Sequence, residues 1–297
     1  MKIGILAFSD PQFAKYAFVE EIAATIEAKG HVPVRLYTPQ LAFIRTDGKL
    51  VITHNGEPLE KIDVIIARPN FLEDPSSHAY PAQLLEQAGY RIINSWPSYW
   101  YAKNKLEQHV TSLTNGLPMA RWAIAKRTSE IMLAADKIGF PVVLKVSFGS
   151  FGRGVFYADS KEVLRPVADY LTSRNAMPII VEEFLADADR KDIRVFVVDG
   201  KVIASMERTA PPGDIRTNTS NGGSGATYQL SDRERDLALK AAKEYQLEIG
   251  GIDLMYTKEG PVVVEVNANP GFEELQKTTN VSIAGAIVDY AIKVATK

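Results

Sequence analysis

The stretch Val262-Val-Val-Glu265-Val-Asn267-Ala-Asn269-Pro-Gly271 decides how the rest of the chain is read. Val262, Val263, Val264 and Val266 describe a buried strand, yet Glu265 and Asn267 sit within it and a loop-making Asn-Pro-Gly follows. Side chains two apart on a strand share a face, so Glu265 and Asn267 point the same way. A carboxylate facing a core must be paired or bound to a cation, because burying it bare is costly. Upstream, Gly250-Gly-Ile-Asp253-Leu-Met-Tyr256 is a second apolar run with one acid, and Lys258-Glu-Gly260 between the runs signals a turn. The two runs are therefore expected as an antiparallel pair. Asp253, Glu265 and Asn267 would then converge as an all-oxygen site, which suits magnesium rather than zinc. The alternative for these residues alone is an edge strand whose polar face meets water.

Bulk properties narrow the classes. A length of 297 residues allows one large or two to three small domains, and 46% hydrophobic with 24% charged content is that of a soluble globular chain. A net charge of −2 offers no polycationic patch for nucleic acid or membrane. The absence of cysteine excludes disulfides, zinc-thiolate clusters and a thiol nucleophile. The amino-terminal apolar run is too short for a signal peptide, and no run approaches the ~20 residues of a membrane span, so a cytoplasmic location is expected.

Working outward, Lys2 to Phe8 reads as a strand, Val19, Ile22, Ala23 and Ile26 as a helical stripe ending at Gly30, and Val32 to Tyr37 as a second strand. Ile44 to Ile52 looks like a hairpin about Asp47-Gly48. A strand at Ile62 to Ala67, a helix around Ala82 to Gln87 and a strand at Arg91 to Asn94 complete a small parallel α/β domain. Its first turn, Ser9-Asp-Pro-Gln, lacks the Gly-x-Gly-x-x-Gly fingerprint of a dinucleotide site. Asn94-Ser-Trp-Pro97-Ser marks a boundary, after which Ser98 is expected to cap one helix carrying Lys103 and Lys105 to about Thr114. Strand, helix and strand follow, at Trp122 to Lys126, Thr128 to Gly139 and Pro141 to Val146.

Gly149-Ser150-Phe151-Gly152-Arg153-Gly154-Val155 is neither a Walker A motif nor a strand-to-helix turn. It lies between strands, as a glycine-rich hairpin tip whose N–H groups can surround a phosphate. A merely flexible hairpin is the alternative for the loop in isolation. Lys145, four residues earlier in an apolar strand, adds a compact cation for phosphate oxygens. A helix from Val163 to Leu171 precedes Pro178 to Leu185, an apolar strand that runs into Glu182 and Glu183. Such a strand end can present backbone groups to adenine while a carboxylate takes the ribose. Asp199-Gly200 then turns a hairpin between Asp192–Val198 and Lys201–Arg208. The polar stretch Thr209 to Thr227 has almost nothing to bury; disorder fits its composition, and Arg208, Arg216 and Asn218 equally fit an anionic substrate. Ser231-Asp-Arg-Glu234 is a capping box opening a helix to about Tyr245, and a last helix spans Ile283 to Val294. His31, His54, His78 and His109 lack metal-ligand spacing and are expected to be structural or at the surface.

Taken together, Lys145, the Gly149 to Gly154 flap, Glu182-Glu183-Phe184, Asp192-Ile-Arg194, Asp253 and Glu265-Val-Asn267 follow the order of the ATP-grasp superfamily. With Asn104-Lys105-Leu106, Arg208, Gly213-Asp-Ile-Arg216-Thr-Asn218, Gly222-Gly223 and Asn267-Ala-Asn-Pro-Gly271, nearly the whole chain resembles the RimK-type α-L-glutamate ligases. The resemblance implies a parallel α/β domain followed by two α+β domains clasping ATP, divided at 1–97, 98–184 and 185–297. Lys105 and Lys145 would contact the phosphates under a flap of Gly149, Ser150, Phe151, Gly152 and Gly154. Glu182, Glu183, Phe184 and Leu185 would hold the adenine, with Asp192 near the ribose. Asp253, Glu265 and Asn267 would bind two magnesium ions, manganese being an alternative, and Arg208, Arg216 and Asn218 would face the reacting carboxylate. The implied activity is ATP-dependent amide formation through an acylphosphate, adding L-glutamate to a protein carboxyl terminus, a small acid or a glutamylated cofactor, in a homo-oligomer (dimer or tetramer).

Phe151, Arg153, Glu207 and Phe272-Glu273-Glu274 depart from the ribosomal-protein-modifying pattern near the expected substrate mouth. Two rivals are a D-alanine–D-alanine or amino-acid-carrier type of ligase, separable by an amino-acid exchange screen, and a non-catalytic nucleotide-binding regulator. The regulator would be expected to lack the metal ligands, and all three are present.

Overall fold

Alternating apolar and helical periods build the amino-terminal part. In the computed structural model, which describes residues 1–8, 17–69, 75–147, 154–174, 177–214 and 223–296, β1 (Lys2–Ala7) and β2 (Val32–Tyr37) run parallel, joined through α1 (Ala17–Ala28). Val19, Ile22, Ala23 and Ile26 of α1 are buried at spacings of three and four, the signature of one helical face. β3 (Leu41–Thr46) and β4 (Lys49–His54) turn at Asp47 and Gly48, both at positive φ as a tight hairpin requires, and β5 (Glu57–Pro58) joins them. β6 (Val64–Arg68) then returns on the far side of β1, and α2 (Pro75–Gln87) leads to β7 (Ile92–Ile93). The sheet order β2-β1-β6-β7 means that the chain winds away in opposite directions from the gap between β1 and β6.

The expected single helix after Pro97 is two. α3 (Trp96–Lys103) follows Ser95 rather than Ser98, with proline in its first turn, where a missing N–H costs nothing. α4 (Lys105–Thr114) starts afresh because the Asn104 side chain accepts from Leu106 N at 3.0 Å. α4 is also inverted. Gln108, His109 and Ser112 are buried, whereas Val110 and Leu113 are exposed.

β8 (Trp122–Ala125), α5 (Thr128–Ile138), β9 (Val142–Val146), β10 (Val155–Ala158), α6 (Lys161–Arg174) and β11 (Ile179–Glu183) form an antiparallel sheet in the order β10-β9-β11-β8. Its core of Ile131, Leu144, Leu164 and Val181 is its own. The last sheet, β14-β13-β12-β15-β16, comprises β12 (Lys191–Val198), β13 (Lys201–Thr209), β14 (Ser224–Thr227), β15 (Ile249–Thr257) and β16 (Gly260–Asn267). β14 corrects the reading of Thr209 to Thr227 as loop throughout. Its four residues pair with β13 by backbone alone, Gly225 opposite Arg208, so hydropathy gives no sign of it. α7 (Asp232–Glu244) opens with both halves of the capping box, and α8 (Glu273–Thr279) and α9 (Ile283–Ala295) follow β16.

The first and last sheets share their cores. Leu6 and Ile65 pack in one cluster with Val195, Tyr245 and Ile252, and Ile3 and Ile66 in another with Phe196, Phe272 and Ile287. Asn94, read as a boundary residue, fastens the two: its buried amide donates to Ile249 O (2.7 Å) and Ala268 O (3.0 Å) and accepts from Glu248 N (2.8 Å) and Ile249 N (2.7 Å).

Candidate active site

Cross-strand register assembles one polar strip on the last sheet. On β12, Asp192 and Arg194 are two apart; Arg208 on β13 lies opposite Asp192, Asp253 on β15 opposite Arg194, and Glu265 on β16 opposite Asp253. Directly opposed residues of an antiparallel sheet share a face, so five charges and Asn267 line it together. The expected pairing of the two acid-bearing strands thus holds. β16 carries a bulge just beyond this pair, a device common beside active sites. Gly251 admits the Asn-Pro-Gly turn, since a Cβ there would stand 2.7 Å from Pro270 Cβ.

The acids and bases on the strip are locked together. Arg208 binds Asp192 through two bonds, Nε to Oδ1 at 2.7 Å and Nη2 to Oδ2 at 2.6 Å, and lies 2.9 Å from Asp253 Oδ2. Arg194 makes two bonds to Asp253, that from Nη2 at 2.8 Å. Lys105 reaches Glu265 at 3.1 Å from α4, and Gln108 of the same helix satisfies both backbone groups of Val266 at 3.0 Å each. Burial alone would raise the Glu265 carboxyl, but Lys105, Arg194 and Lys145 hold it well below the usual range. Burial lowers the Lys103 ammonium to about 8 against the opposing pull of Glu265.

The central sheet contributes a second wall. Lys145 Nζ lies 2.5 Å from Glu182 Oε2, and His109 Nε2 lies 2.8 Å from Glu182 Oε1. His109 Nδ1 faces Lys105 O at 2.6 Å. Both ring nitrogens face acceptors, so both bonds form only when the ring carries two protons. Glu183 points the other way, into a two-bond pair with Arg121 at the surface. Phe184 packs edge-on against Tyr157 with centroids 5.0 Å apart, and half-buried Leu185 begins a 3-10 turn. Gly154 has φ +80, and a side chain there would collide with Val146. Gly149, Ser150, Phe151, Gly152, Arg216 and Asn218 lie outside the described residues.

A profile described as the RimK-like ATP-grasp domain matches residues 102–291. The chain belongs to the RimK-like ATP-grasp family. It is 33% identical over 297 residues to a probable alpha-L-glutamate ligase of Maridesulfovibrio salexigens, spanning 99% of this chain and 96% of that one. A Shewanella halifaxensis protein of the same name is 32% identical over 295 residues; the match covers 97% of this chain but only 62% of that longer relative. The ATP-grasp ligase PsnB, solved with a phosphomimetic variant of its minimal precursor, Mg and ADP, shares the fold with a TM-score of 0.75, at 20% identity over 99% of this chain and 98% of PsnB.

The metal-ligand set of this ATP-grasp chain can be tested on its donors. Among the described residues no three His, Cys, Asp or Glu side chains are placed to hold a metal ion, so Asp253 and Glu265 need a further oxygen, which Asn267 can supply. Asn267 Nδ2 is buried without a partner, and turning the amide over would present its oxygen there. Ionised Glu265 and, with the amide turned, that oxygen suit magnesium. Asp253 suits it only by giving up part of its hold on an arginine.

Sequence reading left Gln108 unmentioned, placed His109 among the structural or surface histidines, and quoted Arg194 within a motif without giving it a role. The first two carried a signal: Lys105, Gln108, His109 and Ser112 form a polar stripe at helical spacing beside exposed Val110 and Leu113. Glu182 supplies a pH test. Burial opposes its ionisation, yet Lys145 and the His109 bond bring it to about 2 from 4.5. A depressed carboxylate stabilises the fold above its unfolded pKa and loses that contribution as pH falls through the folded one. Glu182→Gln is therefore expected to be less stable than wild type at pH 6 by roughly 3 kcal/mol, the gap narrowing from pH 5 toward 2. Urea midpoints against pH measure it; a constant gap contradicts it.

Proposed function

We propose that this chain is an ATP-dependent carboxylate–amine ligase that adds an amino acid, L-glutamate in the first instance, to a peptide or small-molecule carboxylate. The observation that carries the reading is the ion-paired Asp192–Arg208–Asp253–Arg194–Glu265 strip, with Lys105 on Glu265 and, joined to it through His109, the Lys145–Glu182 pair of the central sheet. The names of the relatives support glutamate, and the precursor held by PsnB supports a peptide acceptor.

A carboxylate is a poor electrophile. Its oxygen takes the γ-phosphoryl group of ATP, ADP leaves, and the amine nitrogen attacks the acyl carbon. The bond from that carbon to the phosphate oxygen then breaks, inorganic phosphate leaves, and the amine proton passes to solvent. Such transfers need positioning and charge neutralisation more than a covalent residue. Lys105 and Lys145, each holding a carboxylate in this state, would exchange it for phosphate oxygens. Glu182 would meet the adenine, with Glu183, Phe184 and Leu185 as its connector, and Asp192 would lie near the ribose. Glu265, Asn267 and Asp253 would hold magnesium, or manganese, two ions in all, which supply charge neutralisation on the phosphates. Arg208, joined by Arg216 and Asn218, would steady the oxyanion formed on amine attack. The flap of Gly149 to Gly154 would cover the phosphates. A division at 1–97, 98–184 and 185–297, a cytoplasmic location and a homo-oligomer belong to the same reading. Among the described residues no helix is long and apolar enough to cross a membrane.

The test screens twenty amino acids against peptide and small carboxylates with ATP and magnesium, scoring ADP, phosphate and product mass. Equal release of ADP and phosphate with an amide product is expected. No nucleotide turnover with any pair would overturn the reading.

A further inference from the structure

In open α/β sheets, ligands settle beyond the carboxyl ends of the strands where the winding reverses. In the first sheet that place lies between β1 and β6, and Arg68, opposite Ala7, is the last residue of β6. Arg68 is only 2% exposed. One amino group, Nη2, donates to Pro270 O at 2.6 Å, and the guanidinium carbon lies 5.2 Å and 5.4 Å from the ring centroids of Phe18 and Phe272. Nε has no hydrogen-bond partner, and among the described residues no carboxylate is paired with Arg68. A guanidinium keeps its proton in a protein, so this is a buried cation with no carboxylate in contact among the described residues. Burial pulls it down to about 10, against the charge of Glu273 and the Tyr99 hydroxyl, which act to raise it.

The turn it touches has its own unmet groups. Asn269 Nδ2 donates to Pro69 O at 2.5 Å, which fixes the amide's orientation and leaves Oδ1 buried without a donor. A buried polar atom without a partner calls for a cause. Here, among the described residues, a buried cation has no anion in contact and an amide oxygen has no donor, on two segments tied together by the Arg68–Pro270 and Asn269–Pro69 bonds. An α-amino acid brings both missing groups on one carbon.

We propose that the carboxyl end of β6 and the Asn267–Pro270 turn form the seat of the incoming amino acid, Arg68 holding its α-carboxylate and Asn269 Oδ1 accepting from its amine. This rests on the ligase reading and deepens it. The amine would be held two residues from Asn267, a candidate metal ligand, and so toward the acyl carbon. Since so little of Arg68 is exposed, binding must displace part of what covers it.

The experiment compares the accepted amino acid with its α-amide (for glutamate, isoglutamine) on wild type, Arg68→Gln and Arg68→Lys. Wild type is expected to show a KM roughly 100-fold higher for the α-amide, and Arg68→Gln a similar rise for the amino acid itself, with KM for ATP within about twofold. Arg68→Lys should recover part of the loss. Equal wild-type KM values for acid and amide, or a variant that shifts the KM of the acceptor instead, would overturn the seat while leaving the ligase standing; the wild-type arm holds even if Arg68→Gln does not fold. Absence of turnover would sink the ligase reading, and calorimetry of the amino acid against wild type and Arg68→Lys would then decide the seat: heat weakened in the variant supports it, and no heat with wild type overturns it.

Discussion

Asp253→Asn is expected to lose at least about 1000-fold in kcat and also roughly 3–5 kcal/mol of stability. The two losses have different origins. Asp253 is 3% exposed, and its carboxylate receives Arg194 through two bonds and Arg208 through a third. Arg208 keeps Asp192 when that charge is removed, whereas Arg194 is left buried beside a neutral amide. Removing one partner of a buried pair costs more than the pair is worth, because the remaining charge stays desolvated. Glu265→Gln is the control. Its side chain is 37% exposed, so solvent screens the cations around it, and stability should change by less than about 1 kcal/mol while activity falls as far. Urea unfolding and phosphate release on the two variants separate these effects. An Asp253→Asn protein as stable as wild type, or an active Glu265→Gln, contradicts this account.

The second large effect lies far from the phosphates. Asn94→Ala should cost about 4 kcal/mol, since it strips partners from Ile249 N, Ile249 O, Ala268 O and Glu248 N at once. The first sheet would lose its fastening to the last, and amide exchange should quicken at 248, 249 and 268 before the central sheet changes. Asn94→Asp should fare no better despite its similar volume. It keeps an acceptor for the two N–H groups but turns a second oxygen toward two carbonyls. A variant aspartate of wild-type stability would show that volume, not hydrogen-bond polarity, holds the joint.

Much of the architecture was legible beforehand because it is local. The stripe Val19, Ile22, Ala23, Ile26, the turns at Asp47-Gly48 and Asp199-Gly200, and the Ser231–Glu234 capping box each announce themselves within a dozen residues. The break between α3 and α4 had local signs as well, in Ser95 with Pro97 and in Asn104 with Glu107 three residues on, which one long apolar and aromatic run obscured. β14 had none, since four residues that pair with β13 through the backbone leave no trace in hydropathy.

The amino-acid order alone settled most of the segments that become strands and helices, and which acids interrupt apolar runs and so require a cation. Which cation each receives was decided only when the sheets came together. Arg194 meets Asp253 across 59 residues, Lys105 meets Glu265 across 160, and Arg68 reaches Pro270 across 202. Strand register and the angle at which α4 lies on β16 choose those partners, and neither is encoded in any short window. A charge is placed by its own neighbours in sequence, but its energy is set by what the fold brings within a few ångströms of it.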